Sequence, residues 1–529
     1  MNWPEIQLIV VLVLFTRLFP RLINPEAIST DSYYHLLCAE SIRQNRFRIP
    51  ERIKGFCFPS PYDYPPLFHY LLALFPKDFR ERNEMWVSGI LDVGNVLVFF
   101  EMAVRLDRLI WNSQGPAPLI MTMLFAVSPA LLFAGAGPRA YQATPRVLGE
   151  LCFNLSVIGA FIHLTEGGWT FAVVSIIAAA LVFLSSKFSI QAMIFMFPLM
   201  GLMLKSLFLA SVPIFGFVVA VIISRGFCLK IVRGQLGHLT LFALWTAKHY
   251  PNVLRKNRWC DIVNLPGFLF KKPAEAYRVI FLDNSYLILL FRHPQLLLLA
   301  YVAIYGFVPV GERDLTFLWA WGGASLLVFG LTSLRNLLFL GEPERYVEHG
   351  VMPLYLLAAY GAWMANSFLS FCLVVCCISL FLYAVYVVVF VRLSRTDDNM
   401  LKRHKEVFNF LKEWPEKLCL LPIGSIYGLA YHSGQDVFYS SGNFATCYQP
   451  IQEFKQLYKI LGLPSEDLPG ILQKYHLDGV VAFKNAIKDA QKSYGISYDF
   501  SGLKKVFDNT SCEIWLKVRK SEKSQGGAL

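Results

Sequence analysis

The stretch IQLIVVLVLFTRLF, residues 6–19, decides the fold class of this chain. Its only charged side chain is Arg17. Apolar helices of about 17–25 residues cross the hydrocarbon core of a bilayer. No basic region precedes the run and no small-residue cleavage site follows it, so the sequence predicts a retained signal anchor and not a removed signal peptide.

The composition of the whole chain is that of a membrane protein. Of its 529 residues, 55% are hydrophobic and 16% are charged, whereas soluble domains carry roughly 25% charged residues. The net charge of +12 fits contact with anionic lipid or phosphate head groups, although basic loops of a membrane protein give the same balance. We expect a multi-pass protein of the plasma or cytoplasmic membrane more than of an internal membrane, and no nucleic-acid partner.

Apolar runs between charged or Pro/Gly breaks predict an α-helical polytopic membrane protein with about eleven spans. The predicted spans are 6–23, 86–103, 117–134, 147–164, 169–184, 190–205, 207–224, 285–310, 316–340, 350–365 and 367–391. If the N-terminus lies inside, this odd number places the first long loop, the 135–146 loop, the 341–350 loop and the tail on the outer face. The same orientation places the segment 225–280 outside, although it carries ten Lys/Arg against two acids and basic loops usually lie inside. The positive-inside bias weakens in segments this long.

Two domains are predicted. Residues 1–391 form the membrane domain, with residues 24–85 as its first external loop, and residues 392–529 form a small soluble α/β domain. Strands are expected in a short apolar run of KLCLLPIGSIYGLAYHSGQDVFYSSG, before its Gly-rich turns, in LDGVVAFK and in CEIWLKV, and helices in IQEFKQLYKILG and LPGILQKYH. The cysteines show no CxxC pair or metal-ligand set, so they are interpreted as small core residues and leave the redox compartment open.

The first external loop opens with TDSYYHLLCAE, residues 30–40, and AESIRQNRFRIPERIKGF, which begins at residue 39, starts with a helical pattern. Asp31 stands at the outer edge of the first span, where a carboxylate can accept a proton from an attacking hydroxyl. The alternative is a solvated acid or a helix cap. Tyr34 and His35, which follow it, are candidate substrate contacts.

Later in the same loop, YDYPPLFHY (62–70) precedes a short apolar helix expected to begin near Leu67. Asp63, Tyr64 and His69 are candidate substrate-binding residues, because rigid proline backbone and aromatic rings suit a sugar-binding wall. They also suit a buried turn that binds nothing. Together with the acid and histidine at residues 31 and 35, Asp63 and His69 would offer ligands to a divalent ion, although the spacing is not a metal signature.

Cationic side chains stand at several predicted outer boundaries. GAGPRAYQATPRVLGE (135–150) carries Arg139 and Arg146, and LSSKFSIQ carries Lys187. Arg forks match phosphate oxygens, whereas snorkelling to lipid head groups is the structural alternative. In GEPERYVEHG (341–350), Arg345 is a candidate phosphate ligand with Glu344 orienting it, and a simple Glu344–Arg345 pair without ligand is the alternative.

Taken together, these motifs resemble the GT-C superfamily of integral-membrane glycosyltransferases, which includes protein O-mannosyltransferases, aminoarabinose transferases and oligosaccharyltransferase catalytic subunits. The matching parts are TDSYYHL after the first span, the long first loop, YDYPPLFHYLLALFP, TPRVLGEL and ERYVEHGVMPLY. Two departures stand out. No WWDYG-like stretch is present, which disfavours the oligosaccharyltransferase branch, and Ser32 follows the acid where mannosyltransferases have a second acid.

The resemblance implies inverting transfer of a sugar, a hexose or pentose, from a polyprenyl-phosphate donor to an acceptor hydroxyl. The acceptor would be a glycan, lipid or protein, as in glycosylation of the cell envelope. Asp31 would be the general base, and Arg139, Arg146, Lys187 or Arg345 would neutralise the departing phosphate. A transporter or flippase of lipid-linked sugars and a non-catalytic scaffold are the competing hypotheses.

Overall fold

The computed structural model describes residues 3–23, 30–57, 61–108, 115–132, 142–247, 256–304, 313–438, 457–460 and 463–518. The helices before the tail are α1 Trp3–Ile23, α2 Thr30–Gln44, α3 Leu67–Ala73, α4 Lys77–Leu106, α5 Ala117–Ala126, α6 Pro129–Leu132, α7 Pro145–Glu166, α8 Trp169–Ser185, α9 Lys187–Met203, α10 Leu207–Ile223, α11 Phe227–Leu241, α12 Trp259–Val263, α13 Leu265–Lys271, α14 Pro273–Arg278, α15 Ser285–Arg292, α16 Gln295–Ile304, α17 Arg313–Thr332, α18 Glu344–Glu348, α19 Val351–Met364 and α20 Phe368–Lys412. Single turns of π-helix or 3₁₀-helix occupy Phe242–Thr246, Val279–Asp283 and Arg335–Leu340.

Long apolar helices confirm an integral membrane protein. Five helical stretches are long and apolar enough to cross a bilayer, namely Trp3–Ile23, Lys77–Leu106, Pro145–Glu166, Arg313–Thr332 and Phe368–Val385. Five shorter apolar stretches accompany them, at Ala117–Leu132, Trp169–Ser185, Lys187–Met203, Leu207–Ile223 and Val351–Met364. The predicted span at 285–310 is divided between α15 and α16, so the count of eleven stays a prediction.

Buried ion pairs join the first two long helices. Arg17 Nε of α1 lies 2.6 Å from Asp92 Oδ2 of α4, and Arg21 Nη2 lies 3.1 Å from Glu84 Oε1. All four side chains are buried. Charges in the apolar part of a membrane protein are costly unless they are paired, so these contacts fix how α1 packs on α4.

The helical bundle has two polar ends. At one end, Arg105 forms an ion pair with Glu166, and Arg313 donates to a carbonyl in the last turn of α7. At the other end, Glu84 Oε2 accepts a hydrogen bond of 2.5 Å from the backbone N–H of Ala143. The N-terminal turn of α2, residues 142–144 before α7 and the start of α9 lie near this second end.

The first external loop contains the two helices predicted there. Helix α2 begins at Thr30, and α3 begins at Leu67 directly after the double proline. The guanidinium of Arg43 at the end of α2 donates to the carbonyl of Ala73 at the end of α3, at 2.8 Å. This contact holds the two helices side by side.

The tail contains a small α/β fold. Its helices are α21 Tyr427–His432, α22 Leu468–Lys474 and α23 Lys484–Tyr494, and its strands are β1 Cys419–Ile423, β2 Asp436–Val437, β3 Tyr458–Ile460, β4 Leu463–Pro464, β5 Gly479–Phe483, β6 Leu503–Asp508 and β7 Cys512–Lys517. Five strands form a sheet in the order β2-β1-β5-β7-β6, parallel across its first three strands and antiparallel across the rest. The three strands expected from the sequence are present.

Two predictions for the tail differ from the structure. The segment IQEFKQLYKILG was expected to be helical, but Tyr458–Ile460 forms a strand that pairs antiparallel with Leu463–Pro464. Residues 451–456 lie outside the described part of the chain. The predicted domain boundary at 391/392 falls inside α20, which continues without a break to Lys412, so the division into two domains stays a prediction.

The tail is covalently attached to the first external loop. Cys57 and Cys419 form a disulfide across a sequence separation of 362 residues. Beside it, the backbone N–H of Cys57 donates to Val437 O at 3.0 Å, and the N–H of Val437 donates to Gly55 O at 2.9 Å. The interpretation of the cysteines as core residues was therefore wrong for this pair, because partners so far apart in sequence carry no local signal.

Candidate functional site

Tyr64, in the turn before α3, is the residue around which the predicted site assembles. Burial raises the pKa of its phenol; Asp31 raises it further, whereas Arg146 and Arg345 lower it. The Nζ of Lys187 lies 5.0 Å from the centre of the Tyr64 ring. Charged side chains from four separate parts of the sequence therefore lie around one half-buried ring.

Asp31 lies in the first turn of α2, and its side chain is exposed. The helix begins at Thr30, so Asp31 is inside the helix and is not its cap. The next side chain, Ser32, is buried and its hydroxyl donates to Ala143 O at 3.5 Å. The acid thus stands accessible to substrate beside the segment that leads to Arg146.

Arg146 lies in the first turn of α7, whose N-cap residue Thr144 accepts from the Arg146 backbone N–H. Within the described residues, Arg146 Nη1 is buried and has no hydrogen-bond partner. Helix N-termini carry partial positive charge, so this cation and the helix end together favour an anion. Burying a guanidinium N–H without an acceptor is costly, and a phosphate oxygen would satisfy it.

Arg345 of α18 has an aromatic neighbour and an acidic one. Its guanidinium carbon lies 3.8 Å from the centre of the Phe188 ring, and its Nε lies 2.9 Å from Glu342 Oε2. Burial alone would lower the pKa of Arg345, but Glu342 and Glu348 raise it above its usual value. The side chain is therefore held charged.

Glu342 is the carboxylate that balances these cations. Burial alone would raise its pKa, but Arg345, Lys256 and Arg146 lower it to about 2. Glu348 is also buried, and its Oε2 has no hydrogen-bond partner among the described residues. Acidic and basic side chains alternate here, so the net positive charge that a ligand would meet is small and confined to this cluster.

Glu344 does not orient Arg345 as expected. Its Oε1 lies 2.7 Å from Lys256 Nζ, and its Oε2 accepts a hydrogen bond of 3.0 Å from Ser285 Oγ. Neighbouring residues of a helix point in directions about 100° apart, so residues 344 and 345 face different partners. Glu344 joins the segment 256–285 to α18. The acid that pairs with Arg345 is Glu342, and not Glu344 as predicted.

A chain of buried hydrogen bonds lies behind Tyr64. The hydroxyl of Tyr62 bonds to His69 Nδ1, and His69 Nε2 lies 2.9 Å from His35 Nδ1. Burial lowers the pKa of His35 to about 3 and lowers that of His69 as well. Both imidazoles are therefore neutral, and they join α2 to α3 without contributing charge.

Asp63 and Tyr34 are buried parts of the same wall. A Cβ added to Gly234 of α11 would lie 2.5 Å from Asp63 Oδ2, so the glycine lets the Asp63 carboxylate pack against the α11 backbone. The Tyr34 ring lies 5.9 Å from that of Tyr64 and 5.1 Å from that of Tyr427 in the tail. Because both side chains are buried, Asp63 and Tyr34 support the structure of the site more than they are exposed to a ligand.

Three further residues complete the surroundings and were not predicted. Lys256 pairs with Glu344, Arg292 is buried close to the three glutamates of residues 342–348, and Tyr427 packs on Tyr34. The basic composition of 225–280 was a weak signal for Lys256. No local signal marks Arg292 or Tyr427, because each meets the site only through the fold.

The structure does not bring the residues considered for a divalent ion together. Over the described ranges, no three His, Cys, Asp or Glu side chains come together as metal ligands. His35 and His69 bond to each other, and Asp63 is buried while Asp31 is exposed. Arg139 lies outside the described residues.

Comparison with known proteins gives a fold. No protein-family model and no curated protein matches the sequence. An oligosaccharyltransferase from Archaeoglobus fulgidus, solved with Zn and sulfate, superposes with a TM-score of 0.57 at 11% identity, over 97% of this chain and 73% of that one. ArnT from Cupriavidus metallidurans, solved with undecaprenyl phosphate, gives 0.57 at 10% identity, over 98% and 99%.

Proposed function

We propose that this chain, whose fold is that of GT-C-like membrane glycosyltransferases, transfers a sugar from a polyprenyl-phosphate donor to an acceptor hydroxyl. The hydroxyl oxygen attacks the anomeric carbon from the face opposite the phosphate, and the bond from that carbon to the phosphate oxygen breaks. The electron pair leaves with the phosphate, and the proton of the hydroxyl passes to Asp31. One displacement of this kind inverts the anomeric configuration.

The observation that carries the proposal is the shared neighbourhood of Tyr64. Asp31, Arg146 and Arg345 all lie close enough to this phenol to shift its pKa. A glycosyl transfer needs both kinds of group, because a base must reach the acceptor while cations stabilise charge on the leaving phosphate.

Each cation has a distinct role in the proposed mechanism. Arg146 offers a buried N–H without a partner among the described residues, so it is the first candidate for a phosphate oxygen. Arg345 is held charged by Glu342 and oriented by its stacking on Phe188. Lys187, over Tyr64, adds a third positive charge at the start of α9.

The disulfide supports the outer face as the compartment of the site. Disulfides persist in oxidising compartments and are rare in the cytosol. Cys57 belongs to the first external loop and Cys419 to the tail, so both would face the same oxidising side. Asp31 is on that loop, and the predicted external orientation places it there too.

The grouping of charges favours a transferase over a transporter. Transporters and flippases place ionisable groups near the bilayer midplane, at broken helices. Here the acid and the arginines lie at one end of the bundle, next to the external loop. A scaffold would have no need of a buried guanidinium N–H that lacks an acceptor among the described residues.

The test is transfer of labelled sugar from a polyprenyl-phosphate donor by the purified full chain. We expect Asp31→Asn to lower kcat by about 10²–10⁴-fold, because the general base is lost. The matched control is Asp78→Asn, which changes another exposed acid in the first turn of a helix and is expected to leave kcat unchanged. Equal activity of Asp31→Asn and wild type would remove Asp31 from the mechanism.

A further inference from the structure

An apolar groove lies between α3 and α4, and its lining includes neither Arg146 nor Arg345. Its volume is about 300 Å³, and its walls include Leu72, Phe79, Trp86, Val87 and Ile90. Ile90 is 59% exposed on a helix that is long and apolar enough to cross a bilayer. The groove therefore opens towards lipid, and its α4 wall from residue 79 to 90 is about 16 Å long.

The groove has a polar end formed by Arg80 and Glu84. Arg80 is 1% exposed and pairs with Glu40, and Glu84 pairs with Arg21. Among the described residues, Arg80 Nε has no hydrogen-bond partner. Because two acids balance two bases, this end suits an uncharged group with an oxygen that accepts from the free N–H, and it does not favour a phosphate.

This polar end leads towards the candidate base. Glu84 Oε2 accepts from the backbone N–H of Ala143 at 2.5 Å, and Ser32 Oγ donates to the carbonyl of the same residue at 3.5 Å. One residue of backbone therefore separates the groove from the N-terminal turn that carries Asp31. The cations of the site lie around Tyr64.

We infer that the acceptor is a membrane-embedded amphiphile, with its apolar chain in the groove between α3 and α4 and its hydroxyl-bearing head next to Asp31. The inference rests on the proposed function and names the acceptor class for that same site. The acceptor oxygen forms the new bond to the sugar and its proton passes to Asp31, while the phosphate departs on the side of Arg146. Donor and acceptor thus reach the site from two directions.

Occupancy of the groove is tested without catalysis. The full chain in lipid nanodiscs is irradiated with a long-chain alcohol that carries a diazirine on its chain, and labelled peptides are identified by mass spectrometry. We expect labelling of the 79–90 stretch, lowered about tenfold in Val87→Trp, because the larger ring fills the groove. Val218→Trp, at an exposed position on α10, is the matched control and should label the 79–90 stretch as wild type does.

Ile90→Trp serves as a second filling variant if Val87→Trp does not fold. Labelling of the 79–90 stretch at the wild-type level in a folded filling variant would overturn the assignment of the groove.

Catalysis provides the second measurement. With labelled donor and a membrane lipid extract, we expect the product in the organic phase, and Val87→Trp should lower its formation about tenfold while slow hydrolysis of the donor persists. Label that appears instead in protein or water-soluble glycan, at equal rates in both enzymes, would overturn the lipid acceptor but not the transferase. No consumption of donor by the wild type would overturn the proposed function, and the photolabelling would still decide the groove.

Discussion

At the scale of single residues, the site depends on controlling which side chains are charged. Arg345 is held protonated by Glu342 and Glu348, whereas His35 and His69 are held neutral by burial. A neutral imidazole can both donate and accept, so the chain from Tyr62 to His35 orients the turn that carries Tyr64. Charge is thereby concentrated where a phosphate would bind.

The buried imidazoles make stability depend on pH. The pKa of His35 is lowered from 6.5 to about 3 in the folded chain, so between these values the unfolded chain binds more protons. Stability is therefore expected to be constant above about pH 7 and to fall as the pH falls from 6.5 towards 3. Thermal unfolding of the protein in nanodiscs across this range measures the slope.

His35→Gln removes one titrating group and should give a shallower slope than wild type, although its stability at pH 7.5 is expected to be about 1–3 kcal/mol lower because the bond to His69 changes. His163, a more exposed histidine at the other end of the bundle, provides the control substitution His163→Gln. Identical slopes for His35→Gln and wild type would show that His35 is charged in the folded chain.

At the scale of elements, the crossing of α7 and α9 sets the spacing of the cations. Gly149 lies one turn after Arg146, and a Cβ placed on it would clash with Ser186 and Ser189. The two helices therefore approach at a glycine, and the start of α9, which carries Lys187 and Phe188, lies beside the N-terminal part of α7, which carries Arg146. Small residues allow close helix contacts of this kind in membrane proteins.

Gly149→Val is expected to push these helices apart, with a loss of about 1–3 kcal/mol from overpacking and a larger fall in transferase activity than the loss of stability explains. Gly330→Ala is the matched control, because the position in α17 has open space around it. Measurement of the melting temperature and of sugar transfer in both variants decides the matter. A Gly149→Val protein with wild-type activity would show that the spacing is unimportant.

Other elements were readable from local sequence. The start of α3 after Pro65 and Pro66 follows from proline's fixed backbone, and the buried strand Gly479–Phe483 follows from an unbroken apolar run. The strand Tyr458–Ile460 was missed because its pairing with Leu463–Pro464 overrode a helical pattern. The site residues Asp31, Arg146, Lys187 and Arg345 were named from their chemistry at predicted membrane edges.

At the scale of the whole molecule, the tail rests on the helix that carries Asp31. The disulfide from Cys57 to Cys419 and the packing of Tyr427 on Tyr34 join the tail to the first external loop. The tail sheet is thereby extended by backbone contacts from residues 55–57. A tail attached in this way would restrict the motion of the loop.

Replacing both Cys57 and Cys419 by Ser is expected to lower stability by about 2–5 kcal/mol and to speed proteolysis of the tail. A reducing agent should affect the wild type similarly and leave the double variant unchanged. Cys260→Ser, which changes an exposed free cysteine, is the control. Unfolding midpoints and proteolysis rates that do not respond to reduction would show that the disulfide does not hold the tail.

The sequence by itself determined the membrane class of this protein, the helices of its first loop and the chemical types available for a site. These features depend on composition and on periodicity over a few turns, which the chain carries locally. Only the tertiary structure decided that Asp31, Arg146 and Arg345 lie near the phenol of Tyr64. It also decided that Glu344 pairs with Lys256 and that Cys57 forms a disulfide with Cys419. Contacts between residues this far apart in the sequence depend on how helices pack, and no local pattern encodes that packing.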